Sequence, residues 1–367
     1  MKYNVLITGS DGFIGKNLYH TIKNNININK IYSFSRKNTE ADLVTYIEKS
    51  DLIFHFAATN RSEFDNDFAE NNENLTKFIC NQLRKSSREK KIVFTSSIHS
   101  GNDSIYGKTK LNAELEIKKL QEVLNIKQVI YRLPGIYGKW AKPNYNSVVA
   151  TFCFNILNDI PIKINDEKTK ISLVYIDDLI EEFIKHIELP LNISSQVNIH
   201  KDVISIGELS RLIKNFSDTF KINDLHDSFQ KKLLSTYQSY KNPDQLSYKL
   251  NENTDNRGSF TEILNTQYSG QFSFLTSRPG ITRGNHFHNT KFEKFIVVSG
   301  NASFKFRDLN TGKCFTKITS SAIPEVVETS PGWVHDITNT GKDDLIVLAW
   351  ANENFDLAKP DTIFEVV

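Results

Sequence analysis

Residues 280–300 read GITRGNHFHNTKFEKFIVVSG, and residues 331–339 read PGWVHDITN. Both segments belong to a region, beginning near residue 259, in which strand-length apolar segments follow one another without helical patterns between them. Turn signals such as Pro279-Gly280 separate these segments, and this texture predicts an all-β sandwich or barrel. The predicted strands are Phe260–Leu264, Gln271–Thr276, Lys294–Val298, Ser303–Arg307, Lys313–Ile318 and Leu345–Trp350.

The same two segments carry a candidate set of metal ligands. His286 and His288 alternate with Phe287 in a further predicted strand, so both imidazoles should point to one face. Glu293 follows five residues after His288, and His335 comes from a distant strand. Three nitrogen ligands and one oxygen ligand suit Zn, Fe, Mn or Ni and leave positions open for a substrate or water. We therefore predict a divalent metal site, with Zn as the expected ion.

The first part of the chain has a different texture. Up to about residue 185, short apolar segments alternate with amphipathic ones, which predicts parallel β-α-β units in a doubly wound sheet. The predicted strands are Tyr3–Thr8, Lys30–Phe34, Leu52–Phe56, Lys91–Thr95 and Gln128–Arg132, and the predicted helices include Phe13–Ile22, Phe64–Arg84 and Tyr106–Leu124. The polar stretch from Lys241 to Asn256 is the expected seam. We expect one domain at residues 1–245 and a second at residues 246–367.

The turn after the first predicted strand reads TGSDGFIG, residues 8–15. Gly9 permits a tight turn, Gly12 lets the backbone approach a pyrophosphate, and Gly15 lets helix and strand pack closely. The N–H groups at the start of the following helix should face the phosphates. The candidate cofactor contacts in this turn are Gly9, Gly12, Phe13, Ile14 and Gly15.

The end of the second predicted strand bears on the choice between NAD and NADP. A carboxylate there would bind the ribose 2′-hydroxyl and repel a 2′-phosphate. The chain instead has Ser35-Arg36-Lys37, with two cations and no acid. Because Arg36 can bind a phosphate through two parallel hydrogen bonds, we predict NADPH as the cofactor.

A candidate catalytic group follows the fourth predicted strand. Tyr106 and Lys110 are four residues apart on a predicted helix and therefore share one face. A lysine ammonium near a phenol favours the phenolate, so we expect a lowered pKa of Tyr106 and proton exchange with a carbonyl oxygen. The Ser97 hydroxyl can hydrogen-bond to the same oxygen.

These residues resemble the extended short-chain dehydrogenase/reductase family over roughly residues 1–240. The resemblance also includes the segment Asp51-Leu-Ile-Phe-His-Phe-Ala57-Ala and the segment Val174-Tyr-Ile-Asp-Asp178. It implies that Tyr106 is the acid/base, that Lys110 orients the nicotinamide ribose and tunes Tyr106, and that Ser97 positions the carbonyl. It adds Ala57, Tyr106 and Lys110 to the cofactor contacts and implies a nucleotide-sugar substrate.

The C-terminal pattern G-x5-H-x-H-x4-E-x6-G, followed by PGWVHDITN, is similar to the two motifs of the cupin barrel family. Sugar epimerases of the same barrel class place a catalytic His in an R-G-x-H context, often without metal. This chain has Arg283-Gly-Asn-His286, so His286 is either a metal ligand or an epimerisation base. A neutral His can remove a proton from a carbon next to a ketone, and a metal could stabilise the resulting enolate.

With a reductase-like region followed by a cupin-like region, the chain resembles a family of bifunctional, homodimeric enzymes of capsule and O-antigen synthesis. This implies that the cupin epimerises C3 of a UDP-2-acetamido-2,6-dideoxy-4-hexulose. The reductase would then reduce C4 with NADPH to UDP-2-acetamido-2,6-dideoxy-L-talose, a precursor of UDP-N-acetyl-L-fucosamine. A 4-ketone both acidifies the C3 proton and accepts the hydride, so one substrate explains both domains.

Three other interpretations remain. The chain could be a reductase whose cupin only binds metal and mediates dimerisation. A 4,6-dehydratase or 4-epimerase is disfavoured, because a dehydratase normally has an Asp-Glu pair after the active-site hydroxyl, where this chain has Ile98-His99. The cupin could also be an Fe-dependent dioxygenase.

Composition narrows the class further. The formal net charge of +2 offers no strong field for nucleic acid. Three widely spaced cysteines argue against a disulfide framework, no segment approaches the roughly 18 apolar residues that span a bilayer, and the chain enters a strand without a signal-peptide pattern. We expect a cytoplasmic protein without membrane insertion.

Overall fold

The computed structural model describes residues 2–123, 125–192, 197, 199–217, 221–222, 227–266, 270–356 and 358–367. The chain divides into two compact units. The first unit comprises Met1–Lys214 and Phe229–Lys241, and the second comprises Asn215–Ser228 and Asn242–Val367.

The first unit contains alternating strands and helices. Its elements in chain order are β1 Tyr3–Thr8, α1 Phe13–Ile22, β2 Ile28–Phe34, α2 Glu40–Lys49, β3 Leu52–His55, α3 Asp65–Phe68, α4 Leu75–Arg84, β4 Lys90–Ser97, α5 Ile105–Lys118, β5 Ile126–Leu133, β6 Gly135–Tyr137, α6 Val148–Leu157, β7 Lys170–Tyr175, α7 Ile176–Glu188, β8 Asp202–Ser205, α8 Ile206–Asn215 and α9 Ser228–Gln238.

Five parallel strands form the central sheet of this unit, in the order β2-β1-β3-β4-β5. Helices cover both faces. Val5 and Ile7 lie in one buried cluster, whereas Leu6 lies in the other, because successive strand residues point to opposite faces. Since β2 and β3 lie on opposite sides of β1, the connection reverses direction there. Ligands bind at the carboxyl ends of the strands at such a switch point.

The predicted doubly wound fold is confirmed, with three differences in detail. The predicted helix Phe64–Arg84 is interrupted by π-helical turns at Ala69–Asn74, and α5 ends at Lys118 in a short 3₁₀ segment. A small sheet of β6, β7 and β8 lies outside the predicted strands. No helix among the described residues is long and apolar enough to cross a membrane.

The second unit consists mainly of strands. They are β9 Lys221–Ile222, β10 Glu252–Asp255, β11 Gly258–Thr266, β12 Gln271–Ser277, β13 Thr282–Phe287, β14 Glu293–Ser299, β15 Asn301–Asp308, β16 Cys314–Ser320, β17 Val326–Glu328, β18 Trp333–Asn339, β19 Leu345–Ala351 and β20 Ile363–Phe364. One sheet has the path β10-β11-β12-β19-β14-β17, with β9 beside β11, and the other has the order β16-β15-β18-β13-β20. The predicted cupin-type β domain is confirmed.

Buried side chains from both sheets, including Phe295 and Phe304, form the core of this unit. Two of the candidate metal ligands lie on paired strands of the sheet β16-β15-β18-β13-β20. Strands β13 and β18 pair directly, with His286 opposite His335. A register shift between Gly284 and His286, where Asn285 has a φ of 58°, turns the strand locally.

Candidate cofactor and metal sites

The glycine turn lies at the switch point of the parallel sheet. Gly9 has a φ of +70°, and a Cβ placed there would lie 2.7 Å from the backbone nitrogen of Ala57. A Cβ on Gly15 would lie 2.2 Å from the carbonyl oxygen of Gly9. Both positions therefore require glycine, because turn, helix and the end of β3 approach one another through their backbones. This brings the candidates Gly9, Gly15 and Ala57 together.

Helix α1 begins directly after this turn. Gly12 is its N-cap residue and supplies no side-chain cap, and the first turn has no acidic residue. Phe13 and Ile14 pack against the buried cluster below. The start of α1 thus has a positive end of the helix dipole that no carboxylate of its first turn neutralises, which suits a phosphate group.

The end of β2 lies beside the glycine turn. The backbone N–H groups of Gly9 and Ser10 both donate to the carbonyl of Phe34, at 2.8 Å and 3.2 Å. Arg36 follows two residues later and is exposed, as is Lys37. Both cations therefore lie on the segment that follows β2, next to the glycine turn that precedes α1.

A buried hydrogen-bond chain holds the strand ends in place. Thr76 donates its hydroxyl proton to the carbonyl of Asn72 at 2.6 Å, so it accepts from Nε2–H of His55 at 2.9 Å. Nδ1 of His55 then accepts from the Thr8 hydroxyl at 2.7 Å, and Thr8 accepts the N–H of Ala57 at 3.3 Å. Burial lowers the pKa of His55 to about 3, so the ring stays neutral and the hydrogen bonds keep this donor-to-acceptor order.

The candidate catalytic residues gather after β4. The Ser97 side chain lies close enough to Tyr106 to lower the pKa of its phenol. Lys110 is buried, donates to the carbonyl of Thr95 at 3.0 Å, and lies 5.1 Å from the ring centre of Phe94. Burial lowers the pKa of Lys110 to about 8.

The predicted lowering of the Tyr106 pKa is wrong for this structure. Burial raises the pKa of Tyr106, and the nearby Ser97 side chain only partly opposes that effect. The ammonium of Lys110 is instead directed to a backbone carbonyl of β4. Tyr106 is consequently a phenol that holds its proton, as a proton donor must.

The four candidate metal ligands come together in the second unit. One ligand atom from each of His286, His288, Glu293 and His335 lies within 4.8 Å of every other. Oε2 of Glu293 lies 3.2 Å from Nε2 of His288 and 3.3 Å from Nε2 of His335. His288 lies one residue beyond β13 rather than inside a strand, but its ring centre is 4.9 Å from that of His286.

The chemistry of the donor set fits a cation. Nδ1 of His288 is hydrogen-bonded to the carbonyl of Asp361, and Nδ1 of His335 to the carbonyl of Trp333 at 3.2 Å. A carbonyl only accepts, so each Nδ1 carries a proton, and Nε2 is the nitrogen that each ring offers as an acceptor when it is neutral. These acceptors face the carboxylate of Glu293, and a divalent metal is the species that such a group of lone pairs binds.

His286 differs from the other two imidazoles. Its pKa is lowered to about 4, chiefly by burial and secondly by the neighbouring His335. It is thus a neutral, partly buried imidazole that can serve as a ligand or accept a proton. The geometry leaves both roles of His286 open.

Two residues at this site have no signal in the sequence. Nζ of Lys291 lies 3.3 Å from Oε1 of Glu293, with only 13% of its side chain exposed. Asp361 lies 70 residues beyond Lys291 in the chain and accepts the N–H of Lys291, in the loop between His288 and Glu293. Neither belongs to a spacing pattern, because their proximity depends on how the strands pair.

Comparison with known proteins identifies the chain. The NAD dependent epimerase/dehydratase family matches residues 5–200, and the family described as "Polysaccharide biosynthesis C-terminal domain" matches residues 253–363. A UDP-2-acetamido-2,6-beta-L-arabino-hexul-4-ose reductase of Pseudomonas aeruginosa is 42% identical over 362 residues, covering 98% of this chain and 97% of the relative. The chain belongs to the NAD dependent epimerase/dehydratase family.

Solved structures support this assignment. The capsular polysaccharide assembling protein CapF from Staphylococcus aureus matches with a TM-score of 0.90 and 37% identity, over 99% of this chain and 100% of the other. The chain is therefore similar to CapF over nearly its whole length. A UDP-glucuronic acid 4-epimerase from Bacillus cereus, at 19% identity and a TM-score of 0.55, covers 65% of this chain and all of that one, and shares the fold alone.

Proposed function

We propose that this protein is a bifunctional nucleotide-sugar enzyme with a reductase at residues 1–245 and a cupin epimerase at residues 246–367. It would convert a UDP-2-acetamido-2,6-dideoxy-4-hexulose to UDP-2-acetamido-2,6-dideoxy-L-talose for polysaccharide synthesis. The observation that carries the proposal is the coexistence of two constellations, Ser97-Tyr106-Lys110 and the His/Glu cluster. Support comes also from the full-length relative, whose name is that of a hexul-4-ose reductase.

The first step would be inversion at C3 by the second unit. The 4-ketone acidifies the C3 proton, and the unprotonated nitrogen of neutral His286 would remove it. When bound, a divalent metal supplies Lewis acidity that stabilises the enolate oxygen. Water would then protonate the opposite face of C3, and His286 would release its proton to solvent, which completes the inversion. His288, Glu293 and His335 would hold the metal through two imidazole nitrogens and one carboxylate oxygen.

The second step would be reduction at C4 in the first unit. When bound, reduced nicotinamide supplies the hydride that adds to C4. Tyr106 would donate its phenolic proton to the carbonyl oxygen, and Ser97 would hydrogen-bond that oxygen as its charge grows. Lys110 would hold the nicotinamide ribose and favour the phenolate that remains. The products are an alcohol at C4 and oxidised cofactor.

A second candidate function follows from the same cluster. The cupin could bind metal and mediate dimerisation while only the reductase is active. The dehydratase alternative is disfavoured by the position of Ile98 and His99, which follow Ser97 at the end of β4. An Fe-dependent dioxygenase would consume oxygen together with the sugar.

One experiment separates these functions. The protein receives the UDP-4-hexulose and NADPH in deuterated water, and the C3 position and cofactor oxidation are followed together by NMR and absorbance. The bifunctional proposal expects deuterium at C3 and oxidation of NADPH, with no oxygen uptake. Cofactor oxidation without label at C3 would support the structural cupin instead.

Cofactor choice is testable at Arg36. Reversing its charge by Arg36→Asp should lower the preference for NADPH over NADH by about 10- to 100-fold, because a charge-assisted bidentate contact to the 2′-phosphate is replaced by repulsion. Steady-state kinetics with both cofactors measure the ratio. Lys23→Asp, the same change beyond the far end of α1, should leave it unaltered. A wild-type preference for NADH would contradict the assignment.

We also propose that the protein is a homodimer. Support comes from exposed apolar side chains on β14, β16, β17 and the segment between them, among which Ile318 and Ile323 are 75% and 74% exposed. The double variant Ile318→Lys, Ile323→Lys should shift the protein from dimer to monomer in sedimentation equilibrium, since each lysine would have to bury its charge. A monomeric wild type, or a dimer unaffected by the substitutions, would contradict this proposal.

A further inference from the structure

The loop that joins two candidate metal ligands is tied to a residue near the C-terminal end of the chain. This loop runs from His288 to Glu293 and contains Asn289, Thr290 and Lys291. We infer that Asp361 is a positioning residue for the metal centre, acting through two different groups on His288 and on this loop. The inference rests on the proposed metal-binding function of the cluster.

The carboxylate of Asp361 organises the loop backbone. It accepts the N–H groups of Asn289 at 2.9 Å, Thr290 at 2.8 Å and Lys291 at 3.0 Å. The side-chain amide of Asn289 and the hydroxyl of Thr290 add donors at 3.0 Å and 3.1 Å. Five donors thus converge on one ionised carboxylate, and hydrogen bonds of this charged kind are roughly twice as strong as neutral ones. The spacing between the two ligands is held by this group.

The backbone carbonyl of Asp361 acts on the first ligand directly. It accepts Nδ1–H of His288, which selects the tautomer whose Nε2 faces Glu293. Hydrogen bonds of this kind orient metal-binding imidazoles and raise their basicity. The pairing of β20 with β13, with Ile363 opposite Phe287, places this carbonyl beside His288. Asp361 therefore couples the strand pairing to the orientation of a ligand.

A purely structural role for Asp361 is the competing interpretation, since the same bonds also attach two surface segments to each other. The two roles differ in what they affect. A structural tie changes the stability of the folded protein, with or without metal. A positioning residue changes the affinity of the metal and its ligand field, even where the metal-free protein is equally stable.

The test is Asp361→Asn in the full-length protein. The amide keeps the shape but loses the charge and brings an NH₂ group against N–H donors. We expect Zn²⁺ affinity, measured by competition with a chromophoric chelator, to fall about 10- to 100-fold. The visible spectrum of the Co²⁺-loaded protein should also change in position or intensity, because His288 and Glu293 are no longer held at the same spacing.

Asp308→Asn is the matched control. Its carboxylate also organises a turn of the second unit, accepting the N–H of Asn310 at 2.9 Å and the hydroxyl of Thr311 at 2.8 Å, but that turn carries no candidate ligand. The control should keep wild-type Zn²⁺ affinity and Co²⁺ spectrum. Equal affinity losses in both variants, or an unchanged affinity and spectrum in Asp361→Asn, would overturn the inference.

A milder variant covers the case in which Asp361→Asn does not fold. Thr290→Val removes one hydroxyl donor to Asp361 and should weaken Zn²⁺ binding about fivefold, the scale of one such hydrogen bond. No weakening would overturn the inference. The outcomes also separate the two proposals. If the wild type binds no metal, the proposed metal site is wrong. If the wild type and the Asp361 and Thr290 variants all bind metal equally well, only the positioning role of Asp361 is contradicted.

Discussion

Tyr106→Phe should lower the rate of NADPH-dependent reduction of the 4-keto sugar by about 10²–10⁴-fold, the usual contribution of a positioned proton donor. The substitution removes the phenolic hydroxyl near Ser97 and keeps the ring, whose centre lies 6.4 Å from that of Phe68 in an edge-on arrangement. The fold and the glycine turn should therefore be preserved. Steady-state oxidation of NADPH measures the loss.

Two further measurements give this result its meaning. Binding of NADPH, followed by fluorescence, should survive in Tyr106→Phe, because the proposed phosphate contacts lie on α1 and after β2, away from Tyr106. Tyr46→Phe, which removes a hydroxyl from a tyrosine stacked on Tyr32 in the same unit, should reduce at the wild-type rate. A normal turnover number for Tyr106→Phe would assign the proton transfer to another group.

His286→Asn should slow exchange of the C3 proton by about 10²–10⁴-fold if His286 is the base. If His286 is instead a metal ligand, its substitution should also slow exchange, because one of the groups that hold the metal near the enolate is missing. Metal content by mass spectrometry distinguishes the two roles. If His286 is the base, His286→Asn should retain its metal. If His286 is a ligand, the variant should lose metal.

The two variants together test whether the units catalyse separate steps. Tyr106→Phe should still exchange the C3 proton in deuterated water, since enolisation requires the ketone and the cupin site alone. His286→Asn should still bind NADPH and reduce the sugar that has not been epimerised, giving a different stereoisomer at C3. A normal rate of C3 proton exchange in His286→Asn would show that His286 has no catalytic role in the cupin.

Much of this architecture was predictable from local sequence. The glycine turn and the pair Tyr106 and Lys110 are short-range patterns, and side-chain direction in a helix or strand follows from spacing along the chain. Short apolar segments that alternate with amphipathic ones likewise predicted the parallel sheet. Strands that helices cover on both faces are apolar along their whole length. After residue 259, strand-length segments follow one another with turn signals and no helical pattern between them, and this predicted the β domain.

Tertiary structure decided how distant segments meet. The register of β13 against β18, with its irregularity at Asn285, sets His335 opposite His286, and no spacing rule encodes that pairing. Asp361 reaches the ligand loop only because β20 joins the sheet. Burial also reversed the expected pKa shift of Tyr106, because desolvation depends on the atoms packed around the phenol. Local periodicity thus determined the elements and their faces, whereas strand pairing and burial determined which groups share a site and in which protonation state.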